Sequence, residues 1–231
     1  MIGFVGFTCI ILTVLFYYGA QTLYQRIKLA LFSPLLVVPV GLVVCLSIFH
    51  ISYSSYVSGG KWLTMLLQPA IVAFALPLHK HYRIFIKYFP VIILSVLVGT
   101  FSALLTSVLL GLSANFSPQI IVSLAPRSVT TPIAIGVSQT LGGTPALTAV
   151  FVIITGLIGL IIGPLIIRLL HLNSPIAKGV LLGTSAHAVG TSTALDIGSL
   201  EGTIASLSMI FAGLITVIMA PLLCPFILRV I

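Results

Sequence analysis

Long apolar stretches alternate with short polar breaks along the chain. Six of them, at 2–21, 33–51, 62–78, 90–112, 146–169 and 203–228, run for 17–26 residues. At 1.5 Å per residue, helices of this length cross a hydrocarbon core of about 30 Å. Two further stretches, 118–143 and 175–198, are apolar but interrupted, the first by Pro126 and Pro132, the second by Gly183 and Gly190, with Ser and Thr gathered at the interruptions. A proline inside a helix removes a backbone donor and clashes with the preceding turn, and nearby hydroxyls can satisfy the carbonyls it frees. The pattern predicts an all-α polytopic membrane protein. It has about six full spans plus two broken or re-entrant segments, in a single integral membrane domain over 1–231.

The two broken segments belong to an internal repeat. A shift of 57 positions lays 117–171 on 174–228, matching Ser117-Pro118 with Ser174-Pro175, Ser128 with Ser185, Gly156-Leu157-Ile158 with Gly213-Leu214-Ile215, and Pro164-Leu165 with Pro221-Leu222. Apolar sequence matches itself readily, so the register of the prolines, the glycine and the polar breaks carries the weight. Each unit is a broken segment followed by one span, an arrangement that transporters use to hold substrate where broken helices meet.

Charge then sets orientation. Arg26 and Lys28 in loop 22–32, and Lys80, Arg83 and Lys87 in loop 79–89, place both loops in the cytoplasm by the positive-inside rule, with the N-terminus outside and 52–61 an outside loop. If 118–143 dips in and returns, the next span delivers Arg168 and Lys178 to the cytoplasm, whereas a crossing segment sends them out. The charges favour the hairpin, and a unit of one hairpin plus one span gives two copies of opposite orientation.

Composition narrows the function. The chain is 59% hydrophobic and 5% charged, with a mean hydropathy of +1.31, which excludes a soluble domain. The net charge of +8 sits at the ends of apolar runs, where Lys and Arg anchor and orient, so nucleic acid is not the partner and the lipid bilayer is. Cys9, Cys45 and Cys224 lie inside apolar runs without paired spacing, implying neither disulfide nor metal. The first run has no basic flank before it and no cleavage-type motif after it, and reads as a retained span in place of a signal peptide. Catalysis finds no triad, carboxylate pair or ligand cluster. His79-Lys80-His81 reads as a solvated basic loop.

The candidate chemistry lies at the breaks. Arg127 stands between two half-helices beside Ser128, Thr130 and Thr131, and its planar guanidinium matches a carboxylate bidentately. A half-helix starting near Thr130 adds unpaired N–H groups facing the same anion. The alternative for Arg127 is an interfacial anchor. In the second unit, Thr184, Ser185 and His187 occupy the break. His187 is either a packing group or one that couples protons to transport. Gln68, before Pro69 inside an apolar run, either offers its amide to a cavity or bonds a neighbouring helix. Asp196 and Glu201, the only acids in the chain, are candidate coupling partners of His187 or plain loop carboxylates. No cofactor is expected.

Three motifs in this order, Leu66-Leu67-Gln68-Pro69-Ala70, Leu124-Ala125-Pro126-Arg127-Ser128-Val129-Thr130-Thr131-Pro132, and Gly183-Thr184-Ser185-Ala186-His187-Ala188-Val189-Gly190-Thr191 with Glu201 beyond, resemble the CidB/LrgB family of bacterial membrane proteins. The resemblance covers essentially the whole chain, and the Pro-Arg-Ser form is closer to CidB. His79 stands where the family often has tyrosine, and Asp196 where glutamate is usual. The resemblance implies a multi-pass protein of the bacterial plasma membrane, associated with holins and antiholins and with control of murein hydrolase activity and lysis. It also implies a small holin-like partner of the CidA/LrgA type. Related proteins, among them a plastid glycolate/glycerate transporter, move small carboxylates. Two readings follow: a transporter of small monocarboxylates, or a regulatory membrane protein that acts with its small partner and moves no solute. Either is compatible with a homo-oligomer.

Overall fold

The computed structural model describes residues 4–27, 32–66, 69 and 79–230. Within these it is all helical. Gln68, and most of the span expected at 62–78, lie outside the described residues. The chain divides into two compact units, 1–75 and 76–231.

The first unit holds α1 (Phe4–Ile27), α2 (Pro34–Ile48) and α3 (Tyr53–Met65). Its core is Ala20, Val38 and Leu42, bordered by Phe16 and Tyr56. Gly59 of α3 rests directly on the backbone of Gly6, an approach that any Cβ would block. The stretch expected to span at 33–51 forms a helix of only 15 residues, about 22 Å long. It stops because His50 turns left-handed (φ 50°) and the Ile51 N–H reaches back to the Leu46 carbonyl, the helix-ending motif that a positive-φ residue makes possible. Residues 53–61, expected as a loop, are helical: Ser52 caps the first turn of α3 by accepting from the Ser55 N–H.

The second unit holds α4 (Tyr82–Ser113), α5 (Pro118–Leu124), α6 (Thr131–Thr140), α7 (Pro145–Leu169), α8 (Pro175–Ile197) and α9 (Ser199–Val230). Four helices among the described residues are long and apolar enough to span a bilayer: Val5–Ile27, Tyr82–Ser113, Pro145–Leu169 and Ser199–Leu228. The boundaries repeat one device. Asn115 (φ 54°), Gly142 (φ 80°) and His171 (φ 48°) end α4, α6 and α7, each followed by an N–H that bonds five residues back. Within three residues a Ser-Pro or Thr-Pro pair starts the next helix with proline in its first turn.

Three buried clusters order this unit. At one end, Leu104 and Val108 of α4, Ile121 and Val122 of α5, Val137 of α6, and Ala220 and Cys224 of α9 pack together, while Thr148 near the start of α7 bonds Ser138. At the other end lie Ile167 of α7, both arms of α8 through Leu182 and Ala194, and Ala205 near the start of α9. Between them Ile92 and Val96 of α4 share a cluster with Val129, Val152, Ile204 and Ala212. Thus α4 and α9 run parallel and α7 runs opposite. Both the α5–α6 segment and α8 double back to the end at which they begin.

Candidate functional site

The first break spans Ala125 to Thr130. The Arg127 N–H still bonds the Leu124 carbonyl and Val129 that of Pro126, so the chain makes two tight turns before α6 starts at Thr131. Thr130 occupies the cap position with extended backbone (φ −61°, ψ 144°), yet its hydroxyl makes no cap bond. The first amides of α6 are therefore left for another acceptor. Arg127 is half-buried here, and its Nε donates to the Ser107 Oγ at 2.9 Å. Ser107 can accept because its own proton goes to the Ala103 carbonyl, 2.6 Å away. Among the described residues the two terminal nitrogens of the guanidinium have no partner. Ser128 beside it is buried, and Thr130 and Thr131 are half-buried.

The second break lies at Ala186 (φ −131°, ψ 17°) and His187 (φ 43°, ψ −130°), between the two glycines that marked it in the sequence. Those glycines serve approach, with no unusual turn. A Cβ on Gly190 would strike the Leu182 carbonyl of the opposite arm, and one on Gly183 the Ala205 carbonyl of α9. The strained residue is His187, for which positive φ costs about 1–3 kcal/mol. Its ring is buried, with Nε2 3.1 Å from the Val152 carbonyl of α7. A carbonyl only accepts, so Nε2 carries the hydrogen and Nδ1 is left as an acceptor. Gly156 and Gly159 of α7 make room for the tip, Gly156 under His187 and Val189 and Gly159 under Ala186. Just past the kink the Thr191 hydroxyl donates to the His187 carbonyl at 3.0 Å.

The tips of the two breaks converge. Val129 shares its buried cluster with Val152, the residue whose carbonyl holds His187. On α4, Gly99 faces Thr184 while Ser107 holds Arg127, eight residues or about 12 Å apart along the helix. The hydroxyls divide: Thr184 is buried and bonds the Val180 carbonyl, while Ser185 is exposed and bonds that of Leu181. Asp196 and Glu201 are not at the break. Asp196 is exposed at the end of α8, and Glu201 sits in the first turn of α9 with its carboxylate folded over Gly198. They share that end of the unit with Arg83 and Lys178. Among the described residues no three potential metal ligands come together. Ser107 and Val152 were absent from the sequence reading, and Gly156 entered it only as a matched position of the repeat. Ser107 gives no sequence signal, but Gly156, Gly159 and Gly163 form a legible small-residue stripe on one helix.

Comparison with known proteins places this geometry. The LrgB-like family model matches residues 13–226. The chain belongs to the LrgB-like family. It is 49% identical to YwbG of Bacillus subtilis (strain 168), over 96% of this chain and 99% of that protein. It is 38% identical to YxaC of the same organism, over 92% and 93%. It is 37% identical to the holin-like protein CidB of Staphylococcus aureus (strain N315), over 93% of each. No solved structure matches it. As an LrgB-like protein with several long apolar helices, it is a multi-pass membrane protein.

Proposed function

We propose that this LrgB-like protein carries small monocarboxylates across the plasma membrane, and that this flux links it to control of murein hydrolase activity and lysis. One observation carries the reading: Arg127 lies at a helix break with two guanidinium nitrogens unpartnered among the described residues, and the chain's only acids, Asp196 and Glu201, are at the base of the other hairpin. A cation at that depth without a counter-ion invites an anion, and the fork fits a carboxylate. The uncapped start of α6, with Ser128, Thr130 and Thr131 around it, adds donors from the same side. Thr184, Ser185 and His187 complete the path from the second break, and His187 couples protons with Asp196 and Glu201 at its mouth. Gln68 is assigned to the substrate path by the sequence motif.

The architecture proposed with this function is one membrane domain in which α5–α6 and α8 re-enter from opposite faces, as two copies of an inverted repeat. The antiparallel course of α7 and α9 supports it. So does the gathering of Lys80, Arg83, Lys87, Arg168 and Lys178 at the end where α8 begins and ends. The printed name of CidB supports a second reading, a holin-like regulator working through a small CidA/LrgA-type partner or through self-assembly. The test is uptake of labelled small monocarboxylates by proteoliposomes holding this chain alone. Uptake is expected, and both Arg127→Ala and Arg127→Lys should abolish it, because a point charge does not reproduce the fork. No uptake by the intact chain overturns the transporter in favour of the regulator. Full uptake by the lysine variant makes Arg127 an anchor.

A further inference from the structure

Hydroxyls on the membrane helices of this chain usually donate to the carbonyl four residues back. Thr106, Ser107, Thr155, Thr184, Thr191, Thr193, Thr203 and Ser206 all do so. Three do not. Thr100 of α4 and Ser208 and Thr216 of α9 are at most 1% exposed and have no hydrogen-bond partner among the described residues. A buried hydroxyl left unpaired costs about 1–3 kcal/mol, and each of these could recover that by turning back to its own helix.

Their positions are linked. Thr100 sits between Val96 and Leu104 on the buried stripe of α4, and Thr216 between Ala212 and Ala220 on that of α9. Val96 and Ala212 share one buried cluster, Leu104 and Ala220 the next. The two threonines therefore lie at the same level of α4 and α9, where the clusters meet. Ser208 lies two turns earlier on α9, between Ile204 and Ala212, in the cluster that includes Val152. Followed along the interface, the hydroxyls run from the carbonyl that holds His187, past Ser208, Thr216 and Thr100, to Ser107, which holds Arg127.

We propose that Thr100, Ser208 and Thr216 bind a file of internal water between α4 and α9 that joins the two breaks. Ser208 and Thr216 are eight residues, about 12 Å, apart on one helix, a gap that about three or four waters span at about 2.8 Å per hydrogen bond. Their neighbours at 212 and 220 are alanines, and internal waters are held by otherwise unsatisfied polar groups of this kind. The file links the hydration of the carbonyl that seats His187 to that of the hydroxyl that seats Arg127, so that ion binding at one break is felt at the other. That consequence rests on the transport reading; the water does not.

The experiment is X-ray radiolytic footprinting of the full-length protein in ¹⁸O-water, read at Met209. Met209 is 6% exposed, out of reach of bulk solvent, and its Sδ lies 3.8 Å from the Thr191 hydroxyl that bonds the His187 carbonyl, at the His187 end of the proposed file; the exposed Met65 serves as the labelling control. Met209 should take up ¹⁸O in the native protein and lose that labelling in the Thr100→Val, Ser208→Ala, Thr216→Val protein, with Met65 unchanged. A native Met209 that stays unlabelled, or one labelled equally in the triple variant, overturns the proposal. Thermal stability of Thr100→Val alone gives a second reading that survives misfolding of the triple variant. In a dry interface valine removes an unsatisfied hydroxyl and raises the midpoint, which overturns the proposal; loss of a bridged water lowers it. Labelling at Met209 without carboxylate uptake by the native protein supports the water and sinks the transport reading.

Discussion

Gly156→Ala tests whether the tip of α8 is held by the fit of one imidazole against one turn of α7. An added Cβ would lie 2.8 Å from Val189 Cγ2, 3.0 Å from His187 Cε1 and 3.1 Å from His187 Nε2. Carbon contacts relax at about 3.5–4.0 Å, so the ring must retreat by roughly 0.5 Å. Its bond to the Val152 carbonyl, now 3.1 Å, then stretches beyond hydrogen-bonding range. Overpacking costs about 1–3 kcal/mol and the lost bond about 1 kcal/mol. Alanine returns about 1 kcal/mol of helix propensity, so the net loss is about 1–3 kcal/mol, and the midpoint of that range lowers the melting temperature by roughly 4–8 °C. In a His187→Ala background the methyl group finds the space the ring vacated, only Val189 resists, and most of the penalty disappears. The assay is a double-mutant cycle of thermal unfolding in detergent with the native chain, both single variants and the pair. A coupling of at least about 1 kcal/mol is expected. Penalties that add to within about 0.5 kcal/mol refute the idea that Gly156 acts by seating His187.

Three further outcomes follow. His187→Gly should be more stable than His187→Ala, because both lose the ring but only alanine keeps a Cβ at φ 43°; a midpoint for alanine equal to or above glycine's refutes strain at this residue. His187→Gln, which keeps a donor for the Val152 carbonyl, should fold normally yet flatten the pH profile of carboxylate uptake, and an unchanged profile returns His187 to a packing role. Asn173→Cys in a background with Cys9, Cys45 and Cys224 replaced should resist a membrane-impermeant thiol reagent on intact cells; labelling from outside refutes the re-entrant hairpins and the inverted repeat together.

The long spans of the second unit were legible because lipid solvates any large apolar side chain, so length and apolarity alone mark α4, α7 and α9. The first break was legible because Pro126 and Pro132 stand close together among hydroxyls; proline by itself does not mark a break, since Pro39, Pro90, Pro164, Pro221 and Pro225 all lie inside continuous helices. The second was placed only approximately. Glycine marks both unusual backbone and close approach, and Gly183 and Gly190 do the second while His187 makes the bend. That is a weaker signal, which histidine shares with Asn and Asp, and three of the four positive-φ non-glycine residues among those described are histidines. The short α2 was misjudged because apolar length was counted through His50, whose left-handed turn depends on a bond closing back to Leu46. Ser107 and Val152 were out of reach of any local pattern. Their roles exist only because folding brings α4 beside one break and α7 beside the other.

The same packing gives the breaks a physical means of influencing each other. Gly156 of α7 receives His187 and Val189 of α8, and Gly213 of α9 receives Ile133 of α6. These are the two glycines that the 57-position shift superimposes. Each long span thus carries, at corresponding positions, the seat for the other unit's break. A change at the first break presses on α9, which packs along both arms of α8 through Gly179 and Gly183; a change at His187 presses on α7, whose first turns are tied to α6 through Thr148 and Ser138. Close-packed interfaces of this kind shift between discrete arrangements more readily than they deform. Anion capture at Arg127 and protonation at His187 would therefore act on one mechanical unit.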